Sequence, residues 1–131
     1  MSQYIFKKGI KKDLNLINVK LLLIHFKDEN KVNFIYSPHL DLTGYGNNLR
    51  EAKASFEIVF DDFIDYTLKK KTLGKVLKKL GWQIKGSIKK PKKAIIPSIT
   101  SIISDNEHVS DIFDKYSTNT FHEEVGIPAM A

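Results

Sequence analysis

Apolar positions along the chain change their spacing several times, and each change marks an element. Leu16 to Phe26, LINVKLLLIHF, is a run of aliphatic and β-branched residues that predicts a strand. The polar turn KDENK follows, and Val32 to Tyr36 predicts a second strand with Val32, Phe34 and Tyr36 on one face, so the pair reads as a hairpin. Pro38 then stops regular pairing, and Leu40 and Leu42 alternate with Asp41 and Thr43 as a short third strand.

From Asn48 the spacing lengthens to three and four. Leu49, Ala52, Phe56, Val59, Phe60, Phe63, Ile64 and Thr67 fall on one stripe of a long helix, leaving Glu57, Asp61, Asp62 and Asp65 to the remaining surface. Asn48 and Glu51 stand three apart and predict a reciprocal cap. Just ahead of them Gly44 and Gly46 bracket Tyr45, and the freedom of glycine at positive φ predicts a sharp turn there. Thr72 to Leu80 predicts a shorter helix with Leu73, Val76, Leu77 and Leu80 inward and Gly81 at its end. Trp82 to Ile88 alternates as a fourth strand with one wet face. Beyond it KKPKKAIIP reads as a linker, Ser98 to Tyr116 as one or two helices, and Phe121 to Pro128 as a short extended segment.

The pattern predicts an α+β fold in which an antiparallel sheet of three to four strands is packed by one long and one short helix, with a C-terminal extension. The expected organisation is a basic N-terminal segment over residues 1–15, a core domain over 16–90, and a linker with an acidic extension over 91–131. A Pro-Lys-Lys linker between regions of opposite charge sets the last boundary.

Charge sharpens this division. Residues 1–65 hold nine basic and nine acidic side chains, residues 66–104 hold eleven lysines and no acid, and residues 105–131 hold one lysine against six acids. The net charge of +6 is thus the sum of a neutral, a strongly basic and an acidic stretch. The lysine stretch has the electrostatic footprint of phosphate contact as well as of a solvated face. The chain has no cysteine, which excludes disulfides and thiolate zinc sites. Its longest aliphatic run, Leu21 to Ile24, is far too short to span a bilayer, so a cytoplasmic protein without membrane association is expected.

Candidate chemistry is sparse. His25, His39, His108 and His122 lack the tight spacings of a helical or hairpin metal site, and His122-Glu123-Glu124 reads as a solvated turn. No Gly-x-Ser-x-Gly elbow occurs, and GYGNNL lacks the third glycine and the lysine of phosphate-cradling loops. Two-metal hydrolysis needs several converging carboxylates. Asp41 stands alone on its strand and is expected to bond backbone amides ahead of the glycines. Neither an enzyme nor a cofactor is expected. Pro38, Asp41, Gly44, Gly46, Asn48 and Glu51 are taken as a structural turn and cap that set the long helix on the sheet.

The series of an aromatic-x-Pro-x-Leu strand (YSPHL), a Gly-x-Gly turn, a helix opening with Glu-Ala, a second helix and a Leu-Gly-Trp strand resembles the core of HicB-like antitoxins over about residues 16–90. The resemblance implies a partial ribonuclease H-like fold without nuclease activity, made of three antiparallel strands, a helix and a further strand. It further implies an antitoxin of a type II toxin-antitoxin system, a homo-oligomer that binds and neutralises a small, basic ribonuclease toxin of the HicA type. Such members often repress their own operon through a helix-turn-helix or ribbon-helix-helix unit. The tail here fits neither, since Phe121 to Pro128 follows its helices instead of preceding them, which argues against operator DNA binding.

A basic toxin needs an acidic surface, and the favoured candidate is the tail, with Asp105, Glu107, Asp111 and Asp114 as charges and Phe113, Tyr116 and Phe121 as apolar anchors. The alternative is the helix face with Glu57, Asp61, Asp62 and Asp65. Two other functions compete: a nucleic-acid-binding module using Lys85, Lys89, Lys90, Lys92 and Lys93 with Trp82 for stacking, and an orphan HicB-like oligomer without a toxin.

Overall fold

The structure, a computed structural model, describes residues 3–4, 16–86 and 91–128. Its elements follow the chain as β1 (Gln3–Tyr4), β2 (Leu16–Lys27), β3 (Asn33–Ser37), β4 (Leu42–Gly46), α1 (Leu49–Lys69), α2 (Leu73–Lys79), β5 (Gln83–Gly86), β6 (Pro91–Ile95), α3 (Ile99–Asp105), α4 (Glu107–Lys115) and β7 (Thr118–Pro128). The fold is α+β. The main sheet has the order β1-β7-β2-β3-β4, with β1 parallel to β7 and every other pairing antiparallel.

Leu21, Leu22, Leu23 and Ile24 are consecutive in β2 and all buried. Side chains of a strand alternate between faces, so such a run requires both faces of the sheet to be covered. Val19, Leu21 and Leu23 face α1 and α2, where Phe56, Phe60, Ile64, Leu73 and Leu77 complete the larger core. Leu22, Ile24 and Phe26 face the other way, onto Ile102 of α3 and Val109 and Ile112 of α4. The sheet is the middle of three layers.

The hairpin of β2 and β3 and the long helix match expectation. Asn48 Oδ1 accepts from the Glu51 amide at 2.8 Å, while Glu51 Oε1 reaches back to the Asn47 amide at 2.9 Å, one residue earlier than the usual reciprocal cap. Phe56, Phe60 and Ile64 are fully buried, and Val59 and Phe63 partly so. Leu49 is exposed instead, and Asp61, expected on the outer surface, is buried. The latter lies next to Phe60 and one turn before Ile64, at the border of the inward stripe.

Several boundaries need correction. The third strand begins at Leu42, because Pro38 to Asp41 forms a turn closed by the Asp41 amide on the Ser37 carbonyl at 2.8 Å. Gly44 and Gly46 lie inside β4 and do not take positive φ; it is Asp41 that does, at φ 56°. The glycines serve close approach. A Cβ on Gly44 would sit 2.6 Å from Phe56 Cα and 2.8 Å from the Ala52 carbonyl oxygen, and one on Gly46 2.8 Å from the Ala52 nitrogen, so helix backbone lies directly on strand backbone.

The larger revision concerns residues 82–128. β5 is not the fourth strand of the main sheet but pairs with β6, which occupies the stretch expected to be a linker; Ile88 of the expected strand lies outside the described residues. Pro91 opens β6, a position where a missing N–H is tolerated. The expected C-terminal extension supplies two helices and the strand β7, which runs beside β2 from Leu16 opposite Pro128 to Phe26 opposite Thr118. Val125 and Ile127 enter the larger core. Residues 91–128 are therefore part of the fold, and no domain boundary falls at Lys90. Among the described residues no helix is long and apolar enough to cross a membrane.

Candidate functional site

The turn Pro38–Asp41 is the point at which distant parts of the chain meet. β3 pairs with β2 only at Ile24 to Lys27, so the Leu22 amide has no strand partner on that side. The His39 ring supplies one: Nδ1 accepts from the Leu22 amide at 3.3 Å, and Nε2 donates to the Pro97 carbonyl at 3.1 Å. Both bonds require the neutral ring with its proton on Nε2. Burial holds the His39 pKa below the usual imidazole value, against the opposing effect of the Pro97 bond. The backbone of the same residue accepts from Trp82 Nε1 at 2.8 Å. One residue thereby ties β2, the start of β5 and the approach to α3.

Asp41 faces the other way. Its carboxylate accepts from the Tyr36 hydroxyl at 2.8 Å, in place of the backbone amides expected from the sequence. Burial, then the Asp41 bond and charge, push the Tyr36 pKa far above the usual phenol value, so the hydroxyl stays a donor. The Tyr36 ring also meets the His108 ring edge-on, with centroids 4.9 Å apart, at the start of α4.

A groove of about 750 Å³ opens between this turn, the end of α2 and the elbow joining α3 to α4. Asp41, Asp105 and Glu107 line it with Lys79 and His108. The Asp105 carboxylate accepts from the Ser101 and Ser104 hydroxyls at 3.4 Å each. Asn106 Oδ1 caps α4 through the His108 and Val109 amides at 2.9 and 3.3 Å, which fixes the elbow. The arrangement suits a cationic side chain: three carboxylates against one lysine, on a partly enclosed wall. No group of three or more His, Asp or Glu among the described residues could hold a metal ion. Along β7 His122 and Glu124 share one face and Glu123 lies on the other, so the three do not converge.

The two acidic surfaces expected from the sequence differ in what remains available. On α1, Asp61 is buried, Asp65 is paired with Lys69 at 3.3 Å, and Glu57 is partly buried and engaged, leaving Asp62 exposed. On α4, Glu107, Asp111 and Asp114 are exposed, and Phe113 is an exposed apolar side chain. The other two expected anchors are used internally. Tyr116 stacks on Phe26 at 4.9 Å, and Phe121 is packed against the larger core with Lys53 Nζ 4.9 Å from its ring centroid.

Of the lysines considered for nucleic acid, Lys85 is exposed on β5. Lys89 and Lys90 lie outside the described residues, as do the side chains of Lys92 and Lys93. Trp82 cannot stack on a base, because it is buried and its indole is bonded to His39. Sequence reasoning missed the parts played by His39 and Tyr36. The one signal available was their placement on either side of Pro38, in a segment too polar for its burial.

No protein-family model, curated protein or solved structure matches the chain.

Proposed function

We propose that this chain is a HicB-like antitoxin with a partial ribonuclease H-like core, which neutralises a small, basic HicA-type ribonuclease by binding it at the α3–α4 face. One observation carries the reading: the groove gathers Asp41 from the turn with Asp105 and Glu107 from the α3–α4 elbow into an acidic recess, and the helical spacing puts the exposed Asp111 and Asp114 on the same side of α4 as Glu107. A recess lined by carboxylates has the sign opposite to the toxin's. The resemblance over residues 16–90 supplies the rest, with three antiparallel strands feeding through the Gly-x-Gly segment into the Glu-Ala helix. The additional strand beside β2 differs from the layout that the resemblance implies, since it comes from β7 and not from β5.

The test is co-expression with the basic toxin of the neighbouring reading frame, scored as rescue of growth. Reversing Asp111 and Asp114 to lysine is expected to abolish rescue and slow association, whereas reversing Asp62 is expected to leave both near normal. If the first double variant still rescues and the Asp62→Lys variant does not, α1 is the binding face. If the wild-type chain fails to rescue any toxin and binds none, the antitoxin reading fails.

A further inference from the structure

The acidic layer has a counterpart on the opposite side of the sheet. α1 ends and α2 begins with a run of lysines, and the structure shows them on one continuous turn. Tyr66 stands 62% exposed near the end of α1, with Lys69 and Lys70 three and four residues on, so all three share one side of the helix. Lys70 Nζ lies 5.9 Å from the Tyr66 ring centroid. The chain then turns through Lys71 at φ 58°, a left-handed conformation that a lysine adopts at a cost and that points a further charge outward at the apex. Lys75 and Lys78 follow on the exposed side of α2.

The turn is held firmly. The Thr72 amide donates to the Thr67 carbonyl at 2.9 Å, the buried Thr67 hydroxyl donates to the Phe63 carbonyl at 2.8 Å, and Leu73 and Leu77 anchor α2 in the larger core. A lysine surface alone is most simply a solvated one. The exposed Tyr66 distinguishes this one, because an exposed ring within a cationic surface offers a base a stacking platform while the lysines follow its phosphates. Asp65 is spent on Lys69, and Asp62, exposed one turn before Tyr66, is the one further acid on this side of α1.

We infer that the α1–α2 turn binds single-stranded nucleic acid, with Tyr66 stacking on a base and Lys70, Lys71, Lys75 and Lys78 on the backbone. The geometry favours a single strand over a duplex. Tyr66 needs an unstacked base, and α2 is a two-turn helix that lies flat on the core instead of projecting to enter a groove. This reading stands independently of the toxin, since it uses the face of the sheet opposite α3 and α4.

Fluorescence anisotropy of oligothymidylate and oligouridylate of about 15 nucleotides, beside a duplex of the same length, tests it at about 50 and 300 mM salt. Single strands are expected to bind in preference to duplex and to weaken steeply with salt, the two oligonucleotides telling DNA from RNA. Tyr66→Ala is expected to weaken binding by roughly tenfold and Tyr66→Phe to leave it unchanged. Lys75→Gln with Lys78→Gln is expected to lower the logarithmic salt slope by about 1.4, at ~0.7 per phosphate contact in a single strand. Circular dichroism melts of each variant confirm folding. The inference is overturned by absence of binding at low salt, by duplex preference, or by unchanged affinity in folded Tyr66→Ala. It is equally overturned if the wild-type chain ignores oligonucleotides but self-associates through these lysines onto the acidic α3–α4 face of a second copy.

Discussion

The two faces of the sheet are covered by unequal layers. α1 alone lays Ala52, Phe56, Phe60 and Ile64 on one face, with its backbone in contact with β4 at Gly44. The other face is covered by two short helices that bury Ile102, Val109 and Ile112 between them. The first layer leaves no room for adjustment, since helix backbone meets strand backbone. The second rests on a few side chains and a capped elbow. Their charges are opposed as well, with lysines at the α1–α2 turn and carboxylates at the α3–α4 elbow. A dense layer fixes the fold, and a lighter one with an open groove leaves surface for recognition.

The most severe way to break this comparison is to remove the lighter layer altogether. A chain ending at Lys90 loses β6 as well as α3, α4 and β7, exposing one whole face of β2 and its pairing edge. With a total stability on the order of 5–15 kcal/mol, such a chain is expected to show no cooperative melt by circular dichroism. Cooperative unfolding would restore the boundary near Lys90.

Single truncations sharpen the contrast. Phe60→Ala in the dense layer is expected to cost roughly 3–5 kcal/mol by urea denaturation. Ile112→Ala in the lighter layer is expected to cost roughly 2–3 kcal/mol, because the two short helices can settle into part of the space. Equal losses at both positions would mean that the layers are equally rigid.

The smallest effect is a slope, not a loss. The His39 ring bridges β2 and Pro97 only when neutral, and its folded pKa is lowered, so its contribution to stability is complete above the unfolded value of about 6.5 and is lost as pH falls below it. The urea midpoint is expected to fall between about pH 7.5 and 5.5, and to fall less in His39→Gln, which is less stable at the higher pH. An equally steep fall in both proteins would assign the slope to other groups.

What could be read from the sequence follows the same division. α1 was legible because its stripe persists through five turns and Asn48 marks its start. The two helices within 98–116 were legible in outline. β7 was recognisable as extended, but its partner was not, because pairing across a hundred or so residues leaves no local periodicity. β6 was hidden by Pro91 and the lysines, which read as a linker unless a partner strand is known. Of the residues that line the groove, Asp105 and Glu107 stood out in the sequence by their charge, whereas the union of Asp41 with the elbow depends on the turn at Pro38 and could not be seen from spacing.

The position of β7 also governs the order of events as the chain is made. β2, aliphatic on both faces, emerges about a hundred residues before the strand that covers its edge, with Leu16 pairing Pro128. At translation rates of about 5–20 residues per second, β2 waits on the order of ten seconds beside β3 with an unpaired edge. In that interval another nascent β2 is as good a partner as the absent β7. The sheet's central pairing is therefore also its slowest, and yield is expected to depend on chaperones and on how crowded the ribosomes are.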